Sequence, residues 1–342
     1  METCLSRTGG SNEPSVFMDS EWKEFNFNVF HVWFMPVSFS SPGKIILFGE
    51  HAVVFGEAAI AAAINLRTRA VVSEYRENRF NGFPLRKDMR AYPYHSFSLT
   101  GATGKSASVE SSIPPGGGMG SSAALSTSLV AALNNDGNEA KTASIAFNVE
   151  LGAQGRASPL DTSTSAHGYG VFISSSRVSS EIWSISSGTV TWHIGHVDVG
   201  RMTVVAGYTG SGAATGHMVD KVRRLWEKYP TARDAVSEIG SISQDAMKAL
   251  RGGDMVALGR LMDRNQRLLS VLGVSTKELD QLIDAVRPFS YGAKLTGAGG
   301  GGCIIALTDR PEKAGEAIAA RGGIPIICRT GEEGLRREGH EG

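Results

Sequence analysis

The sequence predicts an α+β protein, because strand-like and helix-like segments occur in both halves of its 342 residues. Apolar, β-branched segments recur between residue 44 and residue 328. Helix-length segments follow one another between residues 214 and 287, which argues against an alternating βαβ array. A chain of this length suffices for about two domains or two joined lobes.

The first half of the chain opens on a predicted strand. Lys44-Ile-Ile-Leu-Phe48 is an apolar run typical of a buried strand, and a Gly49-Glu50-His51 turn follows it. Residues 76–104 are polar, interrupted by Pro and Gly, and weakly patterned. Asn134-Asn-Asp-Gly137 separates two helical segments. In order, the predicted elements of this half are strands at 44–48, 58–64, 67–75 and 106–111 and helices at 122–134 and 139–151.

The second half begins with residues 156–170, whose Ser, Thr and Gly content predicts a loop. A second glycine run, Gly297-Ala-Gly-Gly-Gly-Gly302, precedes a strand at 303–307, and the charged tail from residue 330 is expected to be frayed. The other predicted elements are strands at 170–174, 181–186, 201–207 and 324–328 and helices at 214–229, 231–250, 254–271, 275–287 and 311–321. The apolar faces of the helices between 214 and 287 either belong to the core or support a homodimer.

The first 34 residues differ from the rest of the chain. Phe25, Phe27 and Val29 alternate with polar residues, a pattern that predicts an added edge strand. The segment lacks a basic start followed by a small-residue cleavage site, so a signal peptide is not expected. A compact domain can begin near Ser41-Pro42-Gly43, and we expect residues 1–34 to be an extension that is dispensable for folding and activity.

Charge and cysteine content exclude several classes of protein. The 34 basic residues equal the 34 acidic residues, which argues against nucleic-acid binding and against a polybasic membrane binder. No apolar run approaches the roughly 20 residues that a membrane-spanning helix needs. The three cysteines, Cys4, Cys303 and Cys328, form no CxxC pair, which fits the reducing cytoplasm.

A glycine-rich turn that leads into a helix is the most informative segment of the chain. It reads Pro114-Pro-Gly-Gly-Gly-Met-Gly-Ser-Ser-Ala-Ala124. Glycine lets the backbone approach a ligand closely, and the first NH groups of a helix have no internal acceptors. Such a helix start binds anions, usually phosphate. The segment lacks the Gly-Lys-Ser/Thr ending of a P-loop, so the lysine and the general base must come from elsewhere in the chain.

Three segments, in this order, carry a resemblance to a known family. They are Ser41-Pro-Gly-Lys-Ile-Ile-Leu-Phe-Gly-Glu-His51, the glycine turn at 114–124, and Lys294-Leu-Thr-Gly-Ala-Gly-Gly-Gly-Gly302. Together they resemble the signature motifs of the GHMP kinase superfamily. Met262-Asp-Arg-Asn-Gln266, followed by Leu272-Gly-Val274, looks like the mevalonate kinase branch, and Gln154-Gly-Arg-Ala-Ser-Pro-Leu-Asp161 is most similar to its compact archaeal form. The resemblance covers about residues 40–330.

This resemblance implies a two-lobed GHMP kinase fold, with an N-terminal lobe like domain 2 of ribosomal protein S5 and a C-terminal ferredoxin-like α+β lobe. It divides the chain into an extension at 1–38, an ATP-binding lobe at 39–195, a second lobe at 196–330 and a charged tail at 331–342. The implied activity is transfer of the ATP γ-phosphate to the C5 hydroxyl of (R)-mevalonate in isoprenoid biosynthesis. Two alternatives stay open, a kinase acting on a phosphorylated mevalonate and a non-catalytic GHMP ligand sensor.

The resemblance assigns the chemistry to Lys44 and Asp161. Lys44 would lie near the transferred phosphate, where a cation stabilises charge on the phosphoryl group and on the substrate oxygen. Asp161 would either accept the proton of the substrate hydroxyl or mainly orient that hydroxyl while Lys44 lowers its pKa. Phosphoryl transfer tolerates both versions, because much of its catalysis is positioning and electrostatics.

The remaining implied ligand residues fall into three groups. Glu150 and Ser122, with Ser121 as an additional candidate, would bind Mg²⁺, which takes few protein ligands beside phosphates and water. His51 and Thr296 would line the mevalonate pocket, and Glu50 would help to hold it. ATP would contact the glycine turn through Ser111, Pro115, Gly116, Gly117, Gly118, Met119, Gly120, Ser121 and Ser122. The glycine run at 297–302 would form a backbone wall beside the phosphates.

Overall fold

Two β-sheets organise the fold of the computed structural model, which describes residues 35–87, 91–212 and 215–339. The expectations for residues 1–34 lie outside the described residues. The strands are β1 (Val37–Phe48), β2 (Ala59–Glu74), β3 (Arg79–Phe80), β4 (Phe83–Pro84), β5 (Lys105–Ser111), β6 (Gly170–Ser174), β7 (Glu181–Ser187), β8 (Val190–His196), β9 (Thr203–Tyr208), β10 (Gly292–Thr296), β11 (Cys303–Leu307), β12 (Ile324–Arg329) and β13 (Arg336–Arg337).

The helices cover these sheets and build most of the second half of the chain. They are α1 (Ala91–Thr100), α2 (Ser121–Asn134), α3 (Glu139–Gln154), α4 (Leu160–His167), α5 (Thr215–Lys228), α6 (Pro230–Gly252), α7 (Met255–Val271), α8 (Lys277–Val286) and α9 (Pro311–Ala319), with short 3-10 turns at Ala52–Phe55 and Arg287–Phe289. Mixed helices and strands confirm the α+β class. Within the described residues, no helix combines the length and the apolar character needed to cross a membrane.

The first sheet contains β1 to β8 and β13, and the second contains β9 to β12. The second sheet is antiparallel, with strand order β10-β11-β9-β12. The division into lobes at 39–195 and 196–330 stays a prediction. Strand β1 lies against the second sheet at Thr296 of β10, whose hydroxyl accepts a hydrogen bond from the backbone NH of Ile46 at 2.9 Å. The two sheets therefore meet at the strand that carries Lys44.

Strand β2 corrects the prediction of two strands at 58–64 and 67–75, because it is one strand of 16 residues. It pairs antiparallel with β1 from Val37 opposite Val72 to Phe48 opposite Ile60. The register shifts where Pro42 and Gly43 face Arg67 and Ile64, so the two residues between them form a bulge. The polar Asn65 in the sequence thus marks a bulge in a continuous strand rather than a turn between two strands.

The segment at 156–170 corrects the prediction of a loop, because α4 occupies Leu160–His167. Its Ser and Thr side chains are buried, and Thr164 donates its hydroxyl proton to the carbonyl of Leu160 at 2.7 Å. Polar residues that satisfy their hydroxyls within the helix can pack into a core, although their composition is typical of loops. Asp161 consequently lies in the first turn of a helix instead of in a flexible connection.

The segment after residue 330 corrects the prediction of a frayed tail as far as residue 339. Arg337 of β13 pairs with Phe39 of β1. The guanidinium group of Arg67 donates to the backbone carbonyls of Glu333 at 2.8 Å and Gly334 at 2.6 Å. One half-buried arginine therefore docks the charged segment onto the first sheet, an interaction that a list of charges does not reveal.

The sequence also misses α1, β3, β4 and β8, while most of the other elements match their predicted places within a few residues. Strand β8 carries His193 and His196. His193 pairs with Glu181 at 3.0 Å, and the Nδ1 of His196 lies 2.9 Å from the Nε2 of His167. Both histidines therefore have partners in the fold.

Candidate active site

A cavity of about 660 Å³ is lined by residues of the first two motifs and by Gly297 and Ala298 of the third. Strand β1 and the turn after it supply one wall, the glycine turn and α2 supply a second, and α3, α4 and α5 close it. The charged or ionisable residues that line it are Lys44, Glu50, His51, Tyr92, Glu150, Arg156, Asp161 and Arg223. Of the residues predicted for the site, the lining includes Lys44, Glu50, His51, Pro115, Gly116, Gly118, Gly120, Ser121, Ser122, Glu150 and Asp161.

Lys44 and Asp161 form an ion pair in this cavity, with 3.0 Å between Nζ and Oδ2. The lysine is 2% exposed and the aspartate 29%, so the pair has a buried side and an open side. Lys44 Nζ also donates to the carbonyl of Gly118 at 3.2 Å. Strand β1 fixes the lysine and the first turn of α4 fixes the aspartate, so a hydroxyl entering from the open side meets both groups together.

The glycine turn packs directly on Lys44, and the contact requires glycine. The backbone NH of Lys44 donates to the carbonyl of Met119 at 2.9 Å. Gly120 has a φ of +78°, and a Cβ there would lie 2.7 Å from the Cγ of Lys44. Gly118 has a φ of +72°, and a Cβ there would lie 2.7 Å from the carbonyl oxygen of Thr296. The turn is thus held between β1 and β10, with the start of α2 facing the cavity.

Ser121 and Ser122 begin α2, whose N-cap residue, Gly120, offers no side chain to the first NH groups. These unpaired donors and the positive end of the helix dipole favour an anion at this place. Ser121, Ser122, Gly118 and Gly120 all line the cavity. The arrangement fits the phosphate cradle that the sequence predicts.

Glu150 lies beside Ser122, whose hydroxyl donates to its Oε1 at 2.6 Å. Burial, and next the negative charge of Asp161, raise the pKa of Glu150 to about 7, while Ser122 and Lys44 oppose the shift. A carboxylate whose charge is so poorly compensated, next to a hydroxyl oxygen, is a suitable pair of oxygen ligands for a small divalent cation. The described residues therefore fit the predicted Mg²⁺ site.

Tyr92 on α1 belongs to the same wall, and the sequence does not single it out. Burial and the charge of Glu150 raise the pKa of the Tyr92 phenol. Its hydrogen bonds with Ser122 and Gln154 lower this pKa and partly offset the increase. The segment from 76 to 104 has no periodicity that would mark a helix, so no signal in the sequence pointed to this residue. Its contacts place it beside the predicted metal ligands.

Glu50 forms an ion pair with Lys294 of β10, and both side chains are completely buried. Lys294 also donates to the carbonyl of Leu295 at 2.7 Å. Burial raises the pKa of Glu50 and lowers that of Lys294, and their mutual attraction opposes both shifts. The second oxygen of Glu50 has no hydrogen-bond partner among the described residues, and Glu50 lines the cavity. Lys294 was not predicted as a site residue, although it stands at the start of the third motif.

His51 follows Glu50 with a φ of +62°, an uncommon conformation for a residue other than glycine. Its Nε2 lies 2.9 Å from the carbonyl oxygen of Ala298, so Nε2 carries the proton that it donates. Burial lowers the pKa of His51 to about 4, which keeps the ring neutral. The other nitrogen, Nδ1, is then an acceptor without a partner among the described residues, in a side chain that lines the cavity.

Four predicted site residues lie outside the cavity lining. Thr296 uses its hydroxyl to bridge the NH and the carbonyl of Ile46, at 2.9 Å and 3.3 Å. Ser111 shares a hydrogen bond with Thr68 at 2.8 Å, and Met119 is completely buried in the core. Gly117 faces the sulfur of Cys303, which a Cβ there would meet at 3.2 Å. Their assigned roles in ligand binding stay predictions.

The lowered pKa of His51 predicts that acid destabilises the fold. Unfolded histidine has an ordinary pKa of 6.5, so below that pH the unfolded chain binds a proton that the folded chain excludes until about pH 4. Stability should therefore fall as pH decreases, by roughly 2 kcal/mol at pH 5 from this group. Urea unfolding should show that the free energy of unfolding decreases less between pH 7 and pH 5 for His51→Gln than for the unmodified chain. His217→Gln, at an exposed position on α5, should keep the full fall, and equal falls in all three proteins would contradict the assignment.

Comparisons with known proteins place this geometry in a family. Two family models match the chain, "GHMP kinases N terminal domain" over residues 88–169 and "GHMP kinases C terminal" over residues 246–322. The mevalonate kinase of Thermococcus onnurineus is 34% identical over 348 residues, covering 89% of this chain and 99% of the relative. That of Methanothermobacter thermautotrophicus is 36% identical over 293 residues, covering 80% and 90%.

A solved structure shares the fold. The crystal structure of the Methanococcus jannaschii mevalonate kinase superposes with a TM-score of 0.70 at 26% sequence identity. The similarity covers 86% of this chain and 98% of the other. This chain therefore shares the fold of that protein over most of its length.

Proposed function

Because the chain belongs to the mevalonate kinase family of the GHMP kinase superfamily, we propose that it transfers the γ-phosphate of ATP to the C5 hydroxyl of (R)-mevalonate. The products are 5-phosphomevalonate and ADP, and the reaction serves isoprenoid biosynthesis in the cytoplasm. The observation that carries the proposal is the Lys44–Asp161 pair, held at 3.0 Å beside the start of α2. Acceptor activation and phosphate binding thus meet in one cavity.

The pair acts on the acceptor hydroxyl from the open side of the cavity. Asp161 accepts its proton as the oxygen attacks the γ-phosphorus, and Lys44 stabilises the negative charge on the attacking oxygen and on the phosphoryl group. The carbonyl of Gly118 holds Lys44 toward the glycine turn. Both side chains are fixed before substrate enters, so little reorganisation accompanies the transfer.

The triphosphate lies against the glycine turn in this proposal. Gly118 and Gly120 bring the backbone close to the phosphates, and the first NH groups of α2, at Ser121 and Ser122, donate to them. Glu150 and Ser122 would hold Mg²⁺, which neutralises charge on the phosphates when it is bound. The glycine turn packs against Lys44 of β1 and Thr296 of β10, and this packing keeps the phosphate cradle in place.

The acceptor lies near His51 and Glu50. The neutral ring of His51 presents Nδ1 as an acceptor for a substrate hydroxyl, while Glu50 holds this turn against β10 through its ion pair with Lys294. Thr296 supports this corner from behind by joining Ile46 to β10. The corner therefore recognises hydroxyl groups.

A coupled assay of ADP release tests the proposal. The purified protein should release ADP with ATP, Mg²⁺ and (R)-mevalonate, and much more slowly with phosphomevalonate, galactose or homoserine. Chelation of Mg²⁺ should abolish the release. No ADP with mevalonate would overturn the proposed function, and preferred use of phosphomevalonate would move the chain to a different acceptor.

A further inference from the structure

The proposed acceptor carries a carboxylate, and its binding calls for a cation that the assigned residues do not supply. His51 is neutral, because its burial lowers its pKa to about 4, and its Nε2–H is used by the carbonyl of Ala298. Lys44 is occupied by Asp161 and by the carbonyl of Gly118. Burying a carboxylate without a charged partner is costly, so another side chain in the cavity must pair with it.

Two further cations line the described cavity wall, Arg156 and Arg223. Arg156, in the connection after α3, forms an ion pair with Asp220 of α5. Its charge is therefore already compensated. Lys294 has Glu50 as its partner and does not line the cavity. Among the described residues, Arg223 is thus the cation of the lining that has no carboxylate partner.

Arg223 is held in place for such a contact. It lies on the face of α5 that Gly216 and Val219 also present to the cavity, at helical spacing. Its Nε is buried and has no hydrogen-bond partner among the described residues. The guanidinium carbon lies 5.8 Å from the centre of the Phe55 ring, which itself stacks on Trp226 at 5.0 Å. This cation–π contact restricts where the guanidinium group can lie.

Phe55 also shows which substrate Arg223 faces. Phe55 ends the 3-10 turn Ala52–Phe55, which begins directly after His51. Through its contact with Phe55, Arg223 is therefore tied to the wall that carries the acceptor corner, while the glycine turn belongs to another wall. A ligand that places a hydroxyl against His51 can extend along this wall toward Arg223.

We propose that Arg223 binds the carboxylate of the acceptor substrate and thereby selects hydroxy acids over neutral polyols. The guanidinium fork forms two parallel hydrogen bonds with the carboxylate, a geometry that an ammonium group cannot reproduce. This inference rests on the proposed function and adds a specificity-determining residue to it. Asp220, one turn before Arg223 on α5, pairs with Arg156 and does not compete for the Arg223 guanidinium.

The test compares Arg223→Met, Arg223→Lys and, as the matched control, Arg224→Met, at the exposed neighbouring position. Arg223→Met should raise the KM for mevalonate about 10- to 100-fold and leave the KM for ATP within about 2-fold. Arg223→Lys should cause a smaller rise, since it keeps the charge and loses the fork. Arg224→Met should match the unmodified enzyme in both constants.

A second substrate separates charge recognition from a structural effect. The triol in which an alcohol replaces the carboxylate of mevalonate should lose little from Arg223→Met, so the preference for mevalonate over the triol should shrink by a similar factor. An unchanged KM for mevalonate, a rise in the KM for ATP alone, or equal losses with mevalonate and the triol would each overturn the inference. If Arg223→Met does not fold, Arg223→Lys takes its place in the test. Its preference for mevalonate over the triol should then be smaller than that of the unmodified enzyme, and an unchanged preference would overturn the inference. The proposed function fails separately, if the unmodified enzyme does not use mevalonate at all.

Discussion

Replacing Asp161 by asparagine should lower kcat about a hundredfold to ten-thousandfold, because the amide cannot accept the hydroxyl proton. Asparagine has nearly the same shape, and α4 holds the position, so the KM for ATP should change little. The effect should appear in steady-state ADP release at saturating mevalonate. Asp234→Asn, at an exposed position on α6, is the matched control and should keep full activity.

Lys44→Met distinguishes the two roles open to Asp161. If Asp161 is the base, its loss should cost at least as much as the loss of Lys44. If Lys44 lowers the pKa of the hydroxyl and Asp161 orients it, Lys44→Met should cost clearly more at every pH from 6 to 9. Full activity in Asp161→Asn would reject both versions, and with them the pairing at 3.0 Å as the catalytic centre.

Replacing Lys294 by methionine should lower the free energy of unfolding by about 3–5 kcal/mol. The change leaves Glu50 buried without a counter-charge, at a place where neither side chain reaches solvent. The pair also connects the turn after β1 with β10, so packing between the two sheets should weaken. Urea unfolding followed by tryptophan fluorescence measures the loss.

Lys248→Met is a matched control for this variant. Lys248 forms a single ion pair with Asp245 and is 78% exposed, so its loss should cost less than about 1 kcal/mol. Adding Glu50→Gln to Lys294→Met should restore part of the stability, because the unpaired charge disappears. If Lys294→Met and Lys248→Met lose the same free energy of unfolding, burial of the Glu50–Lys294 pair does not increase the cost of removing its lysine.

The sequence predicts the parts of the site that depend on local backbone chemistry. Glycines directly before an alanine-rich helix indicated a phosphate cradle at the start of α2, and the structure places Gly118, Gly120 and Ser122 around the cavity. Lys44 on a buried strand was also predictable, because a lysine after Pro-Gly and before an apolar run is held in place. The three motifs together then predicted the family, which the comparisons confirm.

The residues that the sequence did not reveal depend on contacts between distant segments. Arg223 looks like one of two adjacent surface arginines until the fold places Phe55 beneath it. Lys294 looks exposed until β10 packs behind β1, and Tyr92 lies in a segment without periodicity. The polar composition of α4 pointed to a loop, because composition does not show that a hydroxyl such as that of Thr164 bonds to the helix backbone.

The hydroxyl of Thr296 has a consequence for how the enzyme moves. It joins β1 to β10 directly behind the acceptor corner, through two buried hydrogen bonds to Ile46. Hinge opening at this floor would break both bonds and expose the buried Glu50 pair, so the floor resists opening. Elsewhere the wall is joined by the ion pair of Arg156 and Asp220, whose side chains are 46% and 41% exposed, so opening there costs less than opening at the buried floor. Substrate entry and product release should therefore occur by α5 swinging away from the connection after α3, over a floor that stays closed throughout turnover.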